Sequence, residues 1–268
     1  MVCNKYLLFL IGVFFSFVLT CQISGVKSEA MGGLKMAVEE EWSAFGTPAN
    51  AASCENGSIA LCAHNFYGIM ELNELLMSFI IPTPETNLGL GIRYFGLATY
   101  SELDFAFTLA REFKRIAIGI RPKYLLRTSD VNAQTRAVAL DAAINYQYTK
   151  RLLLSIMGSN INRDRYSDSN RESVGSEYML ASKYSHSDQV EVYSEIAHHL
   201  DFNRTTIKLG LSYLPNDYWA FHLGLSNVSG IFGIGAIYRK QNKSAGISFR
   251  YHQYLGLSPT VAISSILK

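Results

Sequence analysis

From residue 57 onward, apolar side chains alternate with small or polar ones at a period of two. Leu88, Leu90, Ile92 and Tyr94 alternate with Gly89, Gly91 and Arg93, and Phe105, Phe107 and Leu109 with Ala106, Thr108 and Ala110. The same rhythm returns at Leu209, Leu211 and Tyr213, at Phe221, Leu223 and Leu225, and at Ile247, Phe249 and Tyr251. Successive side chains of a strand point to opposite faces, so the pattern predicts strands with one apolar face and one small or polar face. The charges (Arg93, Asp104, Asp141, Lys208, Arg250) fall on the second face only. A charge facing lipid at mid-membrane costs roughly 2–4 kcal/mol, so this confinement predicts a wall between hydrocarbon and an enclosed lumen.

The pattern predicts about fourteen strands, near 57–65, 71–81, 87–95, 102–112, 116–126, 136–148, 152–159, 177–184, 189–198, 204–214, 218–226, 231–239, 244–252 and 257–267. Each approaches the 9–11 residues that a tilted strand needs to cross a bilayer, and an even number closes an antiparallel sheet. The fold class expected is all-β: a closed antiparallel transmembrane barrel preceded by a plug-like segment. The 21 residues 218–238 carry no charge and are long enough for a membrane helix. The turn sequence Asn227-Val228-Ser229-Gly230 in their middle favours two strands and a hairpin.

Connections should alternate between short periplasmic turns and longer outward loops. Short ones are expected at 82–86, 113–115, 149–151, 185–188, 215–217 and 240–243, and longer ones at 126–135 and 160–176. The second long loop is highly charged (Arg163, Asp164, Arg165, Asp168, Arg171, Glu172), while 227–230 is shorter than the scheme asks. The parity places both termini on the periplasmic side. Aromatics gather at predicted strand ends, among them Phe66, Tyr94, Tyr146, Tyr148, Tyr184, Trp219 and Tyr254, as the headgroup girdles of a barrel would.

Composition agrees with the pattern. Charged residues make up only 17% of the chain against 12% aromatics, and the net charge of +2 offers no basic face for nucleic acid. The first 30 residues read as a signal peptide: Lys5, an apolar run over 6–20, and Ser28-Glu29-Ala30 as a small-x-small cleavage site. A rival cut lies before Cys21, where Leu19-Thr20-Cys21 loosely resembles a lipoprotein box. Cleavage leaves Cys54 and Cys62, either one disulfide or two buried thiols.

Catalytic signals are weak. His198 and His199 are adjacent on a strand and point to opposite faces, so they cannot share a metal. No Gly-x-Ser-x-Gly elbow is present. No enzyme, metal or cofactor is expected. The acidic run Glu39-Glu40-Glu41 reads as a helix start or solvated face.

Residues 31–56 lack alternation, are too apolar for a disordered tail, and are expected to fold into the barrel mouth as a plug, with a short helix over 37–45 placing Trp42 and Phe45 on one side. Residues 57–268 form the barrel. The inward face is unusually small (Gly89, Gly91, Ala106, Gly119, Ala143, Gly210, Gly224, Gly233, Gly235, Gly246), which either allows close approach of a plug or apolar ligand or marks strand curvature. Pro122 and Pro259 are the candidate strand kinks.

Met31-Gly32-Gly33, the acidic run at 39–41, Trp42, Phe45 and then Thr47-Pro48-Ala49-Asn50 resemble the opening of the PorV/PorQ-like outer-membrane proteins, relatives of the FadL fatty-acid channels. Thr47 stands where that family usually has Asn, and Asn50 where it has Gly. The resemblance covers about twenty residues and implies a fourteen-stranded barrel in a Bacteroidetes-type outer membrane, beside type IX secretion. It favours a binding or accessory component contacting secretion-system or surface proteins. The alternative is a FadL-like passive transporter holding an apolar ligand in its lumen. The plug and lumen candidates are Glu39, Glu40, Glu41, Trp42, Phe45, Pro48 and Asn50.

Overall fold

The structure, a computed structural model, describes residues 24–36, 40–97, 99–129, 134–167, 172–228 and 230–267. The apolar run over 6–20 that is expected to be a leader, Cys3, Cys21 and Glu39 of the acidic run lie outside them. Fourteen long strands follow the plug region: β1 (Gly57–Asn65), β2 (Asn73–Ile81), β3 (Asn87–Gly96), β4 (Tyr100–Phe113), β5 (Ile116–Ser129), β6 (Thr135–Thr149), β7 (Leu152–Ser159), β10 (Glu177–Ser185), β11 (Val190–His199), β12 (Arg204–Tyr213), β13 (Trp219–Ser226), β14 (Ile231–Lys240), β15 (Lys243–His252) and β16 (Gly256–Leu267). They pair antiparallel, each with its neighbour in this order, and β1 pairs with β16 from Gly57↔Leu267 to His64↔Thr260, closing the barrel. The uncharged stretch near 218–238 is the β13–β14 hairpin, as the turn at 227–230 predicts.

Two local features depart from the expectation. A small hairpin, β8 (Arg165–Ser167) with β9 (Glu172–Ser173), interrupts the charged loop. The connection expected at 126–135 shrinks to 130–134, because β5 and β6 keep pairing through Leu125↔Ala137 and Arg127↔Thr135. That pairing persists because Leu125 and Ala137 are covered from inside by Tyr166 of β8. Loop-length alternation is therefore weaker than expected, and 160–176 is the chief long loop.

The faces follow the alternation. Phe107, Ile118, Ile144, Leu209, Leu223, Ile234 and Ile263 are exposed on the outside, while Asp104, Arg121, Asp141, Glu195, His222 and Arg250 are buried inside. An exposed apolar band of this extent is stable only against hydrocarbon. Tyr146, Tyr148, Tyr184, Tyr213, Tyr218 and Trp219 are exposed near the short-turn end, and Tyr94, Tyr178, Tyr251 and Tyr254 near the other. Phe66 does not join them. It turns inward, edge-on to His64 at 4.3 Å and to Phe95 at 5.7 Å between ring centroids.

Candidate functional site: a plug seated in the lumen

The chain before β1 fills the barrel. Helix α1 (Val26–Ala30) is followed by a turn through Met31 and Leu34, a 3-10 turn at Glu40–Trp42 and a second 3-10 helix at Pro48–Ser53, whose first position is taken by the proline. The helix expected over 37–45 is thus only a 3-10 turn within the described residues. Both ends of the plug lie at the short-turn end. Val26 packs on Ile237 beside the β14–β15 turn, and Asn87 at the start of β3 donates from Nδ2 to the carbonyls of Ala51 (2.9 Å) and Cys54 (2.8 Å).

One side of the wall receives the plug by shape. A Cβ on Gly224 would overlap the Met31 backbone, one on Gly233 would sit 2.5 Å from the Ala30 carbonyl oxygen, and one on Gly210 would lie 2.7 Å from Leu34. On the opposite side Gly119 leaves room for the Pro48–Ala49 peptide, and Gly91 lies under the Phe45 ring. The small inward face is a bed for the plug backbone.

The other contribution is charge. Arg121 donates to the carbonyls of Ala44 (3.0 Å) and Gly46 (2.6 Å) and is held by Asp141 at 2.8 Å, which also binds Lys123 at 2.9 Å. All three are buried. Glu195 accepts from the Lys35 backbone N–H at 2.7 Å and from Lys208 at 2.8 Å, while Lys208 also donates to the Gly33 carbonyl at 2.7 Å. The Lys35 ammonium pairs with Glu177. Glu29 pairs with Arg250 at 2.9 Å, and burial pushes its carboxyl pKa up, with Arg250 and Lys208 opposing.

Above the plug, towards the long-loop end, Arg93 binds three carboxylates: Glu74 at 2.8 Å, Glu102 at 2.6 Å and Asp104 at 2.6 Å. Arg127 bonds Glu102 at 3.2 Å and lies over the Tyr166 ring at 4.0 Å. Tyr166 closes this end from the β8–β9 hairpin, and burial raises its phenol pKa, with Asp104 and Glu102 adding to the effect. Cavities lie at both ends of the barrel. One of about 230 Å³ opens at the short-turn end beside Lys27, Met36, Arg115, Asn145 and Lys183. One of about 300 Å³ lies by Arg163, Arg165 and Asp201 at the other end.

The sequence-derived candidates divide. Trp42 is buried against Gly25 and Phe45, Pro48 sits on β5, and Asn50 accepts from Asn145 Nδ2 at 2.9 Å. Glu41 accepts from Ser264 (2.6 Å) and Ser244 (3.3 Å), so it is a plug anchor. Glu40 lies in the 3-10 turn. Cys54 and Cys62 are buried thiols not bridged to each other, and the Cys54 sulfur lies 3.5 Å from Ser43 Oγ. The β4–β5 ladder runs to Ala106↔Lys123, breaks opposite Pro122 and resumes at Leu109↔Ile120 in the same register. Pro122 keeps its partner Leu140 on β6. Pro259 keeps Phe249 as its partner on β15, and on its other side the β1 pairing has already ended at Thr260. Among the described residues no group of His, Cys, Asp and Glu is arranged to hold a metal ion.

The latches on the wall were not among the candidates, yet the sequence carries their signal. Folding the strands as hairpins places Arg93 opposite Asp104, Arg121 opposite Asp141 and Glu195 opposite Lys208, each a cross-strand pair of opposite charges on the inward face.

No family model matches the chain, and no characterised protein is significantly similar in sequence. Solved structures do correspond. The toluene transporter TbuX of Ralstonia pickettii superposes with a TM-score of 0.70 at 11% identity, covering 94% of this chain and 100% of that one. The toluene transporter TodX of Pseudomonas putida follows with 0.65 at 8% identity (90% and 96%), and a Pseudomonas aeruginosa FadL homologue with 0.63 at 10% (91% and 98%). This chain has the FadL-type barrel fold. In this FadL-type barrel the lumen is occupied throughout its middle by the chain's own N-terminal segment.

Proposed function

We propose that the chain is an outer-membrane channel through which small hydrophobic compounds pass passively, with residues 24–56 as its plug and both termini on the periplasmic side. Fold correspondence with two toluene transporters and a FadL homologue supports this reading. One observation carries it further. The plug turn at 44–49 is seated on β5 at Gly119 and Arg121, immediately before Pro122, where the β4–β5 ladder is open. Proline supplies no N–H, so the wall is weakest where the plug is fastened. Shifting that turn would join the lumen to the lipid through this seam, an exit suited to an apolar solute. The short-turn end, where the plug and β1 begin and β16 ends, supports the assignment of the periplasmic side.

The secretion-accessory role rests on the likeness of residues 31–51 to PorV/PorQ-like proteins, and the solved structures that correspond do not add to it. Uptake separates the two. Toluene entry into intact Gram-negative cells, whose lipopolysaccharide leaflet slows apolar solutes, should rise several-fold on expression of this chain. Pro122→Ala, which restores an N–H at the seam, should lower it. Uptake unchanged by expression, with a secretion protein retained through purification, would replace the channel with the accessory role.

A further inference from the structure

We propose that residues 24–30 belong to the mature barrel, so that any leader is removed on the N-terminal side of Ser24 and not after Ala30. Three independent fits support this, none of which depends on the channel reading. The first is shape. Gly25 has φ of +90°, and a Cβ there would lie 2.8 Å from the Trp42 ring, so this glycine is required both by its backbone and by the plug packed on it. Gly233 and Gly235 make room for Ala30, and Gly246 makes room for Val26. These wall glycines lie on β14 and β15, and without residues 24–30 they would border an empty lumen.

The second fit is charge. Glu29 is fully buried, and its carboxylate lies 2.9 Å from the guanidinium of Arg250, itself buried on the inner wall. Lys27 bonds the Tyr193 hydroxyl at 2.9 Å and lies 3.5 Å from Glu191. A barrel beginning at Met31 would strip both partners from the wall, and breaking a buried pair on one side is the costly way to lose it. The third is continuity. The turn after α1 is closed by N–H groups of Met31 and Gly33 donating to the carbonyls of Lys27 (3.1 Å) and Ser28 (2.8 Å), so the bond between Ala30 and Met31 lies inside one hydrogen-bonded unit. A discarded leader has no physical reason to match the wall in shape, charge and turn geometry at once.

The test uses the full precursor, expressed in a Gram-negative host and extracted from its outer membrane in detergent. N-terminal sequencing and intact mass should give a first residue at or before Ser24. A blocked terminus whose mass adds a diacylglycerol at Cys21 would support the proposal equally, since Cys21 lies three residues upstream of Ser24. A chain beginning at Met31 overturns it. A second measurement is independent of mass. Glu29→Gln should lower the melting temperature of the detergent-solubilised barrel by several degrees, because the buried Arg250 loses its carboxylate. An unchanged melting temperature would show that residue 29 is absent from the folded molecule.

Discussion

The wall from β12 to β15 and the wall from β3 to β7 grip the same plug by different means. On the first, glycines at 210, 224, 233, 235 and 246 let residues 26–34 lie close against the strands, so fit is chiefly a matter of excluded volume, with Lys208 and Arg250 adding charged contacts to Gly33 and Glu29. On the second, Arg121, Lys123 and Asp141 form a buried cluster that reaches the plug through two carbonyl oxygens. A shape contact fails when something is added, and a charge contact fails when something is removed. The two halves should therefore respond oppositely to substitution.

The largest effect is expected on the charged side. Asp141→Asn leaves Arg121 and Lys123 buried together without their shared carboxylate, and removing one partner of a buried ionic group costs about 3–5 kcal/mol. Replacing all three by apolar residues of similar volume should recover most of the loss, since such clusters contribute little net stability. Thermal unfolding in detergent measures both. If the triple variant melts no higher than Asp141→Asn, the cluster acts through something other than its charges.

On the glycine side the next effect is Gly224→Ala. The added methyl meets the Met31 backbone, which has no rotamer to turn away, so either the strand or the plug must move. Overpacking of a fitted interior costs about 1–3 kcal/mol, and the upper half of that range is expected here. The same variant should make the plug easier to dislodge. Trypsin cleavage at Lys27 or Lys35 in the folded barrel would report this, and equal protection in variant and parent would break the assignment of Gly224 as plug bed.

How far these contacts were legible in the sequence depends on their range. The strands were legible because period-two alternation is local, and β1 and β7 match their expected bounds residue for residue. The plug was legible only as a segment without alternation. Val26 to Ala30 carries no strand or helix pattern of its own, and Ser28-Glu29-Ala30 reads locally as a cleavage site; Glu29 finds its partner only in Arg250, 221 positions later. Cross-strand pairs such as Arg93 with Asp104 needed only a hairpin register, whereas Tyr166 reaching back over Leu125 and Ala139 is a tertiary contact that no local rule supplies. Phe66 shows the limit from the other side: its place at a strand end suggested the girdle, and its neighbours His64 and Phe95 draw it inward.

The smallest effect is the one that sharpens the comparison most, because it repeats the glycine substitution with a different neighbour. Gly91 faces the Phe45 ring, and an added Cβ would lie 3.0 Å from its nearest atom, a contact that a few tenths of an ångström relieves. The ring belongs to a side chain able to shift within the plug, and alanine also lowers the conformational freedom of the unfolded strand relative to glycine, a gain of about 0.4–1 kcal/mol where the backbone permits it. Gly91 has no positive φ, so the backbone does permit it. Gly91→Ala should therefore fall within about 1 kcal/mol of the parent, against the larger loss at Gly224, as measured by melting of the two variants side by side. Equal losses at both sites would mean that the plug is rigid throughout, and that the β3–β7 side confines it by volume as much as by charge.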